Sequence, residues 1–172
     1  GQHQLWAAQF YKYKLPRTLL TSGGLGTMGY SMGAAMGAAV GCPDQRVVLF
    51  AGDGGFHMNL TELATMASYN IPVVMFIMNN TVLGMVRQWQ KIFYGNRFSD
   101  TDPHRATDFV KVAEAFGVKG MRIHNNDEID AVIDEAFKVN GPVVVECRIS
   151  PDSNVLPMIP PGGSVSDIKE EM

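Results

Sequence analysis

Asp53 stands between two glycines, in Gly52-Asp53-Gly54, and the pair Asn79-Asn80 follows 25 residues after Gly54. The aspartate offers a charged oxygen, the asparagine a neutral one. Set on neighbouring strand ends, two such hard ligands can hold one Mg²⁺ or Ca²⁺ against a diphosphate. The glycines serve a second purpose. Gly52, Gly54 and Gly55 let the backbone turn sharply and come close to a ligand. N–H groups at the start of a following helix can then face phosphate oxygens. A lone Asp-Gly is usually only a turn. The two motifs at the ends of adjacent parallel strands would together point to a site.

The surrounding chain places them there. Arg46 to Ala51 and Pro72 to Met78 are short apolar runs ending in Gly or Asn, the pattern of buried strands. Between them Leu60, Leu63, Ala64 and Ala67 recur at helical spacing, and Asn59 with Glu62 predicts a capping box at the helix start. Strand, helix and strand with short connections imply a parallel pair and a right-handed crossover. Upstream, Leu19-Leu20-Thr21 reads as a short strand, followed by a helix from about Met28 to Val40. That helix carries Gly29, Gly33, Gly37 and Gly41 at four-residue steps. Each glycine weakens a helix by roughly 1 kcal/mol against alanine, so close packing on the sheet is expected, with a subunit interface as the alternative. Helices are predicted over 83–93, 108–116 and 128–139, and strands over 120–123 and 143–149. A β-α unit repeated about five times predicts a three-layer α/β/α fold with a mostly parallel central sheet. Residues 1–150 read as one domain. Residues 151–172, with several prolines followed by Gly162-Gly163, read as an irregular tail over the surface.

Composition narrows the function classes. A chain of 172 residues suits one domain with a full core. A net charge of −3 supplies no basic field for nucleic acid. No run of about 18 apolar residues predicts a membrane span, and no secretory leader pattern is visible. Cys42 and Cys147 form neither a disulfide framework nor zinc spacing, which favours a reducing compartment. The opening Gly1-Gln2-His3-Gln4, without an initiator methionine, reads as the start of a piece of a longer protein.

Gly52-Asp53-Gly54 with Asn79-Asn80 resembles the thiamine-diphosphate signature. Gly1-Gln2-His3-Gln4, Thr21 to Tyr30, Gly84-Met85-Val86-Arg87-Gln88-Trp89-Gln90 and Val155-Leu156-Pro157-Met158 narrow the resemblance. Together they are similar to the catalytic subunit of acetohydroxyacid synthase (acetolactate synthase). The resemblance implies Mg²⁺ on Asp53, Asn80 and the backbone carbonyl of Val82. It implies diphosphate contacts from Gly1, Gln2, His3, Gly52, Gly54 and Gly55, with Gly84 and Met85 by the pyrimidine. Met28 would bend the cofactor, and the Gly26 carbonyl would accept a hydrogen bond from its amino group. Trp89 would border the pocket of the second substrate. From residues alone, Met28, Met85 and Trp89 read first as core fillers. His57 could lie near the diphosphate, whereas Arg87, Lys91, Arg97 and Arg105 read as a solvated face.

The implied reaction decarboxylates pyruvate and joins the two-carbon unit to a second pyruvate or to 2-ketobutyrate, in branched-chain amino-acid biosynthesis. The implied setting is a bacterial cytoplasm, as a homodimer or tetramer with a possible small regulatory subunit. The family's N-terminal domain, with its activating glutamate, and its central FAD-holding domain have no counterpart in these residues, so the isolated chain is expected to be inactive. Two other readings compete. One is the pyrophosphate-binding subunit of a two-subunit 2-oxoacid decarboxylase or oxidoreductase. The other is a nucleotide-binding module, since Gly24 to Gly29 fits Gly-x-Gly-x-x-Gly, although no acid follows at a strand end.

Overall fold

The computed structural model describes residues 1–171. Four strands form one parallel sheet: β1 (Val47–Gly52), β2 (Val73–Asn79), β3 (Lys119–Ile123) and β4 (Val143–Arg148), in the order β1-β2-β4-β3. The register sets the strand tips in a row, with Gly52 beside Met78, Met78 beside Cys147 and Cys147 beside Ile123. The helices are α1 (Gln2–Phe10), α2 (Tyr30–Gly41), α3 (Asp53–Asn59), α4 (Leu63–Ser68), α5 (Gly84–Phe93), α6 (Phe109–Ala115) and α7 (Ile129–Lys138).

Alternation along the strands builds the layers. Val73, Met75 and Ile77 of β2 share one apolar cluster with Leu49, Val144, Met32, Phe56, Leu63 and Phe109, beneath α2, α3, α4 and α6. Val74 and Phe76 face the other way, with Val143, Val145 and Ala136, against α7. Both faces of the sheet are thus covered, and the three-layer α/β/α expectation holds. No helix among the described residues is long and apolar enough to cross a membrane. Cys42 and Cys147 are both free.

Three local expectations are corrected. Leu19-Leu20-Thr21 is not a strand, so the sheet has four strands where about five were expected. Its polar groups are engaged elsewhere: Gln4 Nε2 donates to Thr21 Oγ1 at 2.6 Å, and a tight turn closes from Gly26 N–H to the Ser22 carbonyl. Leu19 and Leu20 are exposed, and β1 stands as an edge. The capping box at Asn59 does not form either. The helix begins six residues earlier, at Asp53, directly off the strand, and passes through a 3₁₀ turn (Leu60–Glu62) into α4. Glu62 instead accepts from the Thr65 hydroxyl. Nor does the glycine stripe of α2 pack on the sheet. A methyl added at Gly33, Gly37 or Gly41 would meet nothing within 4 Å, whereas Met32, Ala35 and Ala39 face the core.

Beyond β4 the described residues form one 3₁₀ turn (Val165–Asp167) and a single bridge between Met158 and Lys169. It nevertheless docks, since Val155 is buried.

Candidate functional site

Gly52 ends β1, and Asp53 is the first residue of α3. Asn79 ends β2, with Asn80 next. Because β1 and β2 are neighbours in register, Asp53 and Asn80 sit at adjacent carboxyl ends, the usual ligand edge of such sheets. Asp53 is only 3 % exposed. Burial lifts its carboxyl above the ordinary range, opposed by the Gly54 N–H and by the Arg105 guanidinium. Arg105 donates to Asp53 Oδ2 at 3.2 Å. Among the arginines expected on a solvated face, Arg105 is therefore a correction, and so is Arg87, which stacks over Phe98 at 4.1 Å and pairs with Asp152.

The two asparagines have different partners. Asn79 donates to Glu146 and accepts from Thr81 N–H, so its amide belongs to the sheet. Asn80 Nδ2 donates to Gln2 Oε1 at 3.0 Å, and its Oδ1 has one long bond, from Val82 N–H at 3.3 Å. Thr81 between them holds φ +64°, a left-handed conformation that a β-branched residue rarely adopts. Such strain concentrates at functional turns, and here it sets Val82 immediately behind Asn80.

The cleft beside these tips has a volume of about 770 Å³ and runs along the outer edge of β1. His3, Gly26, Met28, Asp53, Asn80 and Met85 all line it. Glycines keep it open. A Cβ at Gly54 would lie 3.3 Å from Met28 Cε and 3.1 Å from a Leu83 methyl, and one at Gly52 would lie 3.1 Å from His3 Nδ1. At Gly84 a Cβ would collide with the amides of Gln2 and Asn80. Met28 is 45 % exposed into this space rather than buried in the core. Gly26 holds φ +62°, at the turn that leads to Met28.

Two further candidates, Trp89 and His57, sit outside the cleft. Trp89 does not line the cleft; it is 38 % exposed and packs edge-on against Phe93. His57 bonds the Asp53 carbonyl through Nδ1 and the Thr107 hydroxyl through Nε2, each at 2.8 Å, so it ties α3 to the 94–108 loop. Gln2 lines the cleft, but its amide is engaged: Nε2 donates to Gln88 Oε1 at 3.0 Å and to the Ser153 carbonyl at 2.9 Å. Gln88, which sequence reasoning did not single out, is 1 % exposed. Its Oε1 accepts from Val155 N–H and its Nε2 donates to the Val155 carbonyl. A polar residue on the apolar side of an amphipathic helix was the one signal that could have flagged it.

The donor set can be tested against a metal. No three of His, Cys, Asp and Glu cluster among the described residues. One carboxylate, one carboxamide oxygen and a nearby main-chain carbonyl are hard oxygen donors. They suit Mg²⁺ with a diphosphate rather than zinc.

Residues 1–147 match the family "Thiamine pyrophosphate enzyme, C-terminal TPP binding domain". The chain is 49 % identical over 168 residues to a probable acetolactate synthase large subunit of Methanocaldococcus jannaschii. It is 48 % identical over 174 residues to the acetolactate synthase large subunit of Mycobacterium tuberculosis. Each match covers 98 % of this chain and 28 % of the relative, so the chain spans little over a quarter of their length. A solved thiamine diphosphate-dependent 4-hydroxybenzoylformate decarboxylase of Rhodococcus jostii superposes with a TM-score of 0.67 at 32 % identity. It covers 72 % of this chain and 23 % of the other. The chain belongs to the thiamine pyrophosphate enzymes, as the C-terminal TPP binding domain of that family.

Proposed function

We propose that this chain holds the diphosphate end of thiamine diphosphate through Mg²⁺ and serves an acetolactate synthase. The reaction would decarboxylate pyruvate and join the two-carbon unit to pyruvate or 2-ketobutyrate. The observation that carries the reading is the pair Asp53 and Asn80, buried on adjacent strand tips beside a cleft that glycines keep clear. Asp53, Asn80 Oδ1 and the Val82 carbonyl would hold the cation. Gly1, His3, Gly52, Gly54 and Gly55 would surround the diphosphate, with Gly54 and Gly55 in the first turn of α3, and Gln2 would meet it through its main chain, since its amide is engaged by Gln88, Ser153 and Asn80. Met28 would support the bent cofactor, the Gly26 carbonyl would orient its amino group, and Gly84 and Met85 would flank the ring. Bound there, the cofactor supplies an electron sink for decarboxylation. The chain's own groups position it and exclude water.

Trp89 is assigned to the second-substrate pocket on the strength of its Gln88-Trp89-Gln90 context, outside the cleft of this chain. Residues 1–150 would form the cofactor domain and 151–172 its tail. The activating glutamate, the FAD and the rest of the pocket would come from other domains and from a partner subunit of a bacterial, cytoplasmic enzyme. Identities of 44–49 % to acetolactate synthases favour the synthase over a two-subunit decarboxylase.

Calorimetric titration tests the proposal. Thiamine diphosphate should bind in the presence of Mg²⁺ and not in EDTA, and Asp53→Ala should abolish that binding. Preference for NAD, or binding indifferent to the metal, would end the reading. Acetolactate formation by this chain alone would refute its dependence on other domains.

A further inference from the structure

We propose that Gln88 is a positioning residue that, through Gln2, fixes which end of the Asn80 carboxamide faces the cation. The inference rests on the site reading above and assigns a residue that reading leaves out.

What each group can donate or accept fixes the orientation of the next. An amide side chain has a donor end and an acceptor end, and its orientation must be settled by its neighbours. Two backbone groups settle this chain of amides. Val155 N–H can only donate, so Gln88 must present Oε1 to it, at 2.8 Å. Gln88 Nε2 then falls on the Val155 carbonyl, at 2.9 Å. The Ser153 carbonyl can only accept, so Gln2 must present Nε2 to it, and the same Nε2 donates to Gln88 Oε1. Both Gln2 protons are thereby taken, and its Oε1 is left for Asn80. Asn80 must answer with Nδ2. Its Oδ1 consequently points the other way, toward the Val82 N–H at 3.3 Å, which favours the same orientation. A cation needs that oxygen. With the carboxamide reversed, an NH₂ group would face the cation and repel it.

All three amides are buried, so none can satisfy a reversed neighbour with solvent. The orientation is therefore an energetic constraint, since a buried amide end left unpaired costs about 1–3 kcal/mol. The tail residues Ser153 and Val155 supply the fixed polarity, and Gln88 passes it across α5. Removing a group that orients a ligand typically weakens metal binding by about 10- to 100-fold.

The test is a Mg²⁺ titration at saturating thiamine diphosphate on the protein that contains this sequence, in the wild type, Gln88→Leu, Gln88→Glu and Asp53→Ala. Gln88→Leu should weaken Mg²⁺ by about 10- to 100-fold. Gln88→Glu keeps an oxygen toward Gln2 and Val155 N–H. Its burial against the Val155 carbonyl favours the protonated acid, which restores the donor. It should hold Mg²⁺ affinity within roughly threefold, below the tenfold threshold of a lost orienting group. A merely structural Gln88 would lower the melting temperature of both variants and leave Mg²⁺ affinity alike in the two. Equal affinities, whether both retained or both lost, would overturn the relay. If wild-type binding fails, site and relay fall together; if Asp53→Ala abolishes binding but Gln88→Leu does not, the relay alone falls. Should Gln88→Leu not fold, a crystal structure of the Mg²⁺-loaded wild type decides. The Gln88–Val155 and Gln2–Asn80 bonds must persist there with Asn80 Oδ1 on the ion, and a reversed or detached amide would overturn the inference.

Discussion

Two polar clusters lie at the same end of the sheet, and adjacent asparagines divide them. Asn79 belongs to a closed one. Glu146 of β4 is fully buried, yet it accepts from Asn79 Nδ2 at 2.6 Å and from Arg122 Nε of β3 at 2.5 Å. Arg122 also reaches Asp108 at 2.7 Å, and Asp108 caps α6 by accepting from Val110 and Lys111 N–H. Asn80 belongs to an open cluster. There a buried aspartate has one arginine, a carboxamide oxygen has one long bond, and a cleft runs alongside. The same residue types therefore do opposite work. Where a complementary cation and amide satisfy both carboxylate oxygens, the cluster holds strands together. Where the environment lifts the carboxyl and leaves an oxygen underused, it is prepared for a ligand.

The contrast is broken most forcefully from the closed side. Arg122→Ala would leave Glu146 as a buried charge held by Asn79 and by Arg148 at 3.5 Å. Losing one partner of a buried pair costs about 3–5 kcal/mol. Urea unfolding should show that loss. A cost below about 1 kcal/mol, the range of a surface pair, would mean that the cluster is not structurally closed. In the open cluster the reverse is expected. Asp53→Ala should remove metal-dependent binding with little loss of metal-free stability.

Gly84→Ala sharpens the open side. Its methyl would enter the space held by Gln2 and Asn80, a clash of the kind that costs about 1–3 kcal/mol. Mg²⁺-dependent binding should fall by more than about tenfold, as when an orienting group is lost, while the Arg122–Glu146 pair is untouched. Normal binding by Gly84→Ala would show that the crowding relaxes without turning the amides.

His3 gives the pair a pH signature. Burial beside Gly52 pushes its imidazole down to about 4, against about 6.5 when unfolded. Between those values the unfolded chain binds more protons. Stability therefore rises with pH across this window and is lost as pH falls through it, by at most about 3 kcal/mol. His3→Gln should flatten the slope between pH 4 and 6.5. Arg122→Ala should lower stability and leave the His3 contribution to that slope in place, because the closed cluster holds no histidine. Equal slopes in wild type and His3→Gln would break the assignment.

How much of this was legible depended on whether the signal was local. Val47–Gly52 and Val73–Asn79 are apolar β-rich runs ending in turn residues, so their tips, and with them Asp53 and Asn80, could be placed from sequence. Asp108 was legible as a helix start for the same reason. Gln88, Arg105 and Glu146 were not. Their partners lie 86, 52 and 67 residues away, and a polar side chain that bonds across the fold leaves no periodic trace. Leu19-Leu20-Thr21 misled in the opposite sense. The triplet has strand composition, but Gln4 and the turn after Ser22 claim its polar groups. Asn59 with Glu62 matched a capping pattern, and tertiary context overrode it by starting the helix at the site itself.

The smallest effect is the most diagnostic. Arg105 donates to Oδ2 of Asp53, one of the two oxygens a cation could take, at 3.2 Å, and it is 22 % exposed at the side chain. As the arginine paired with Asp53, it supplies positive charge of the kind that Mg²⁺ would bring. The two must compete, because a carboxylate oxygen pointed at a guanidinium must be freed, or shared, before a cation can take it. Arg105→Gln removes the competitor and keeps a polar side chain. Mg²⁺ affinity should rise by roughly threefold to tenfold, the equivalent of about 1 kcal/mol for a partly exposed pair. Metal-free stability should fall by a similar amount, because Asp53 loses the charge that offsets its desolvation. The paired titrations of wild type and Arg105→Gln, read together with their melting curves, check both signs. A fall in Mg²⁺ affinity would instead make Arg105 a ligand-side cation that moves onto the diphosphate. The open cluster would then resemble the closed one more than the geometry of Asp53 suggests, since its arginine would be a permanent partner rather than a placeholder.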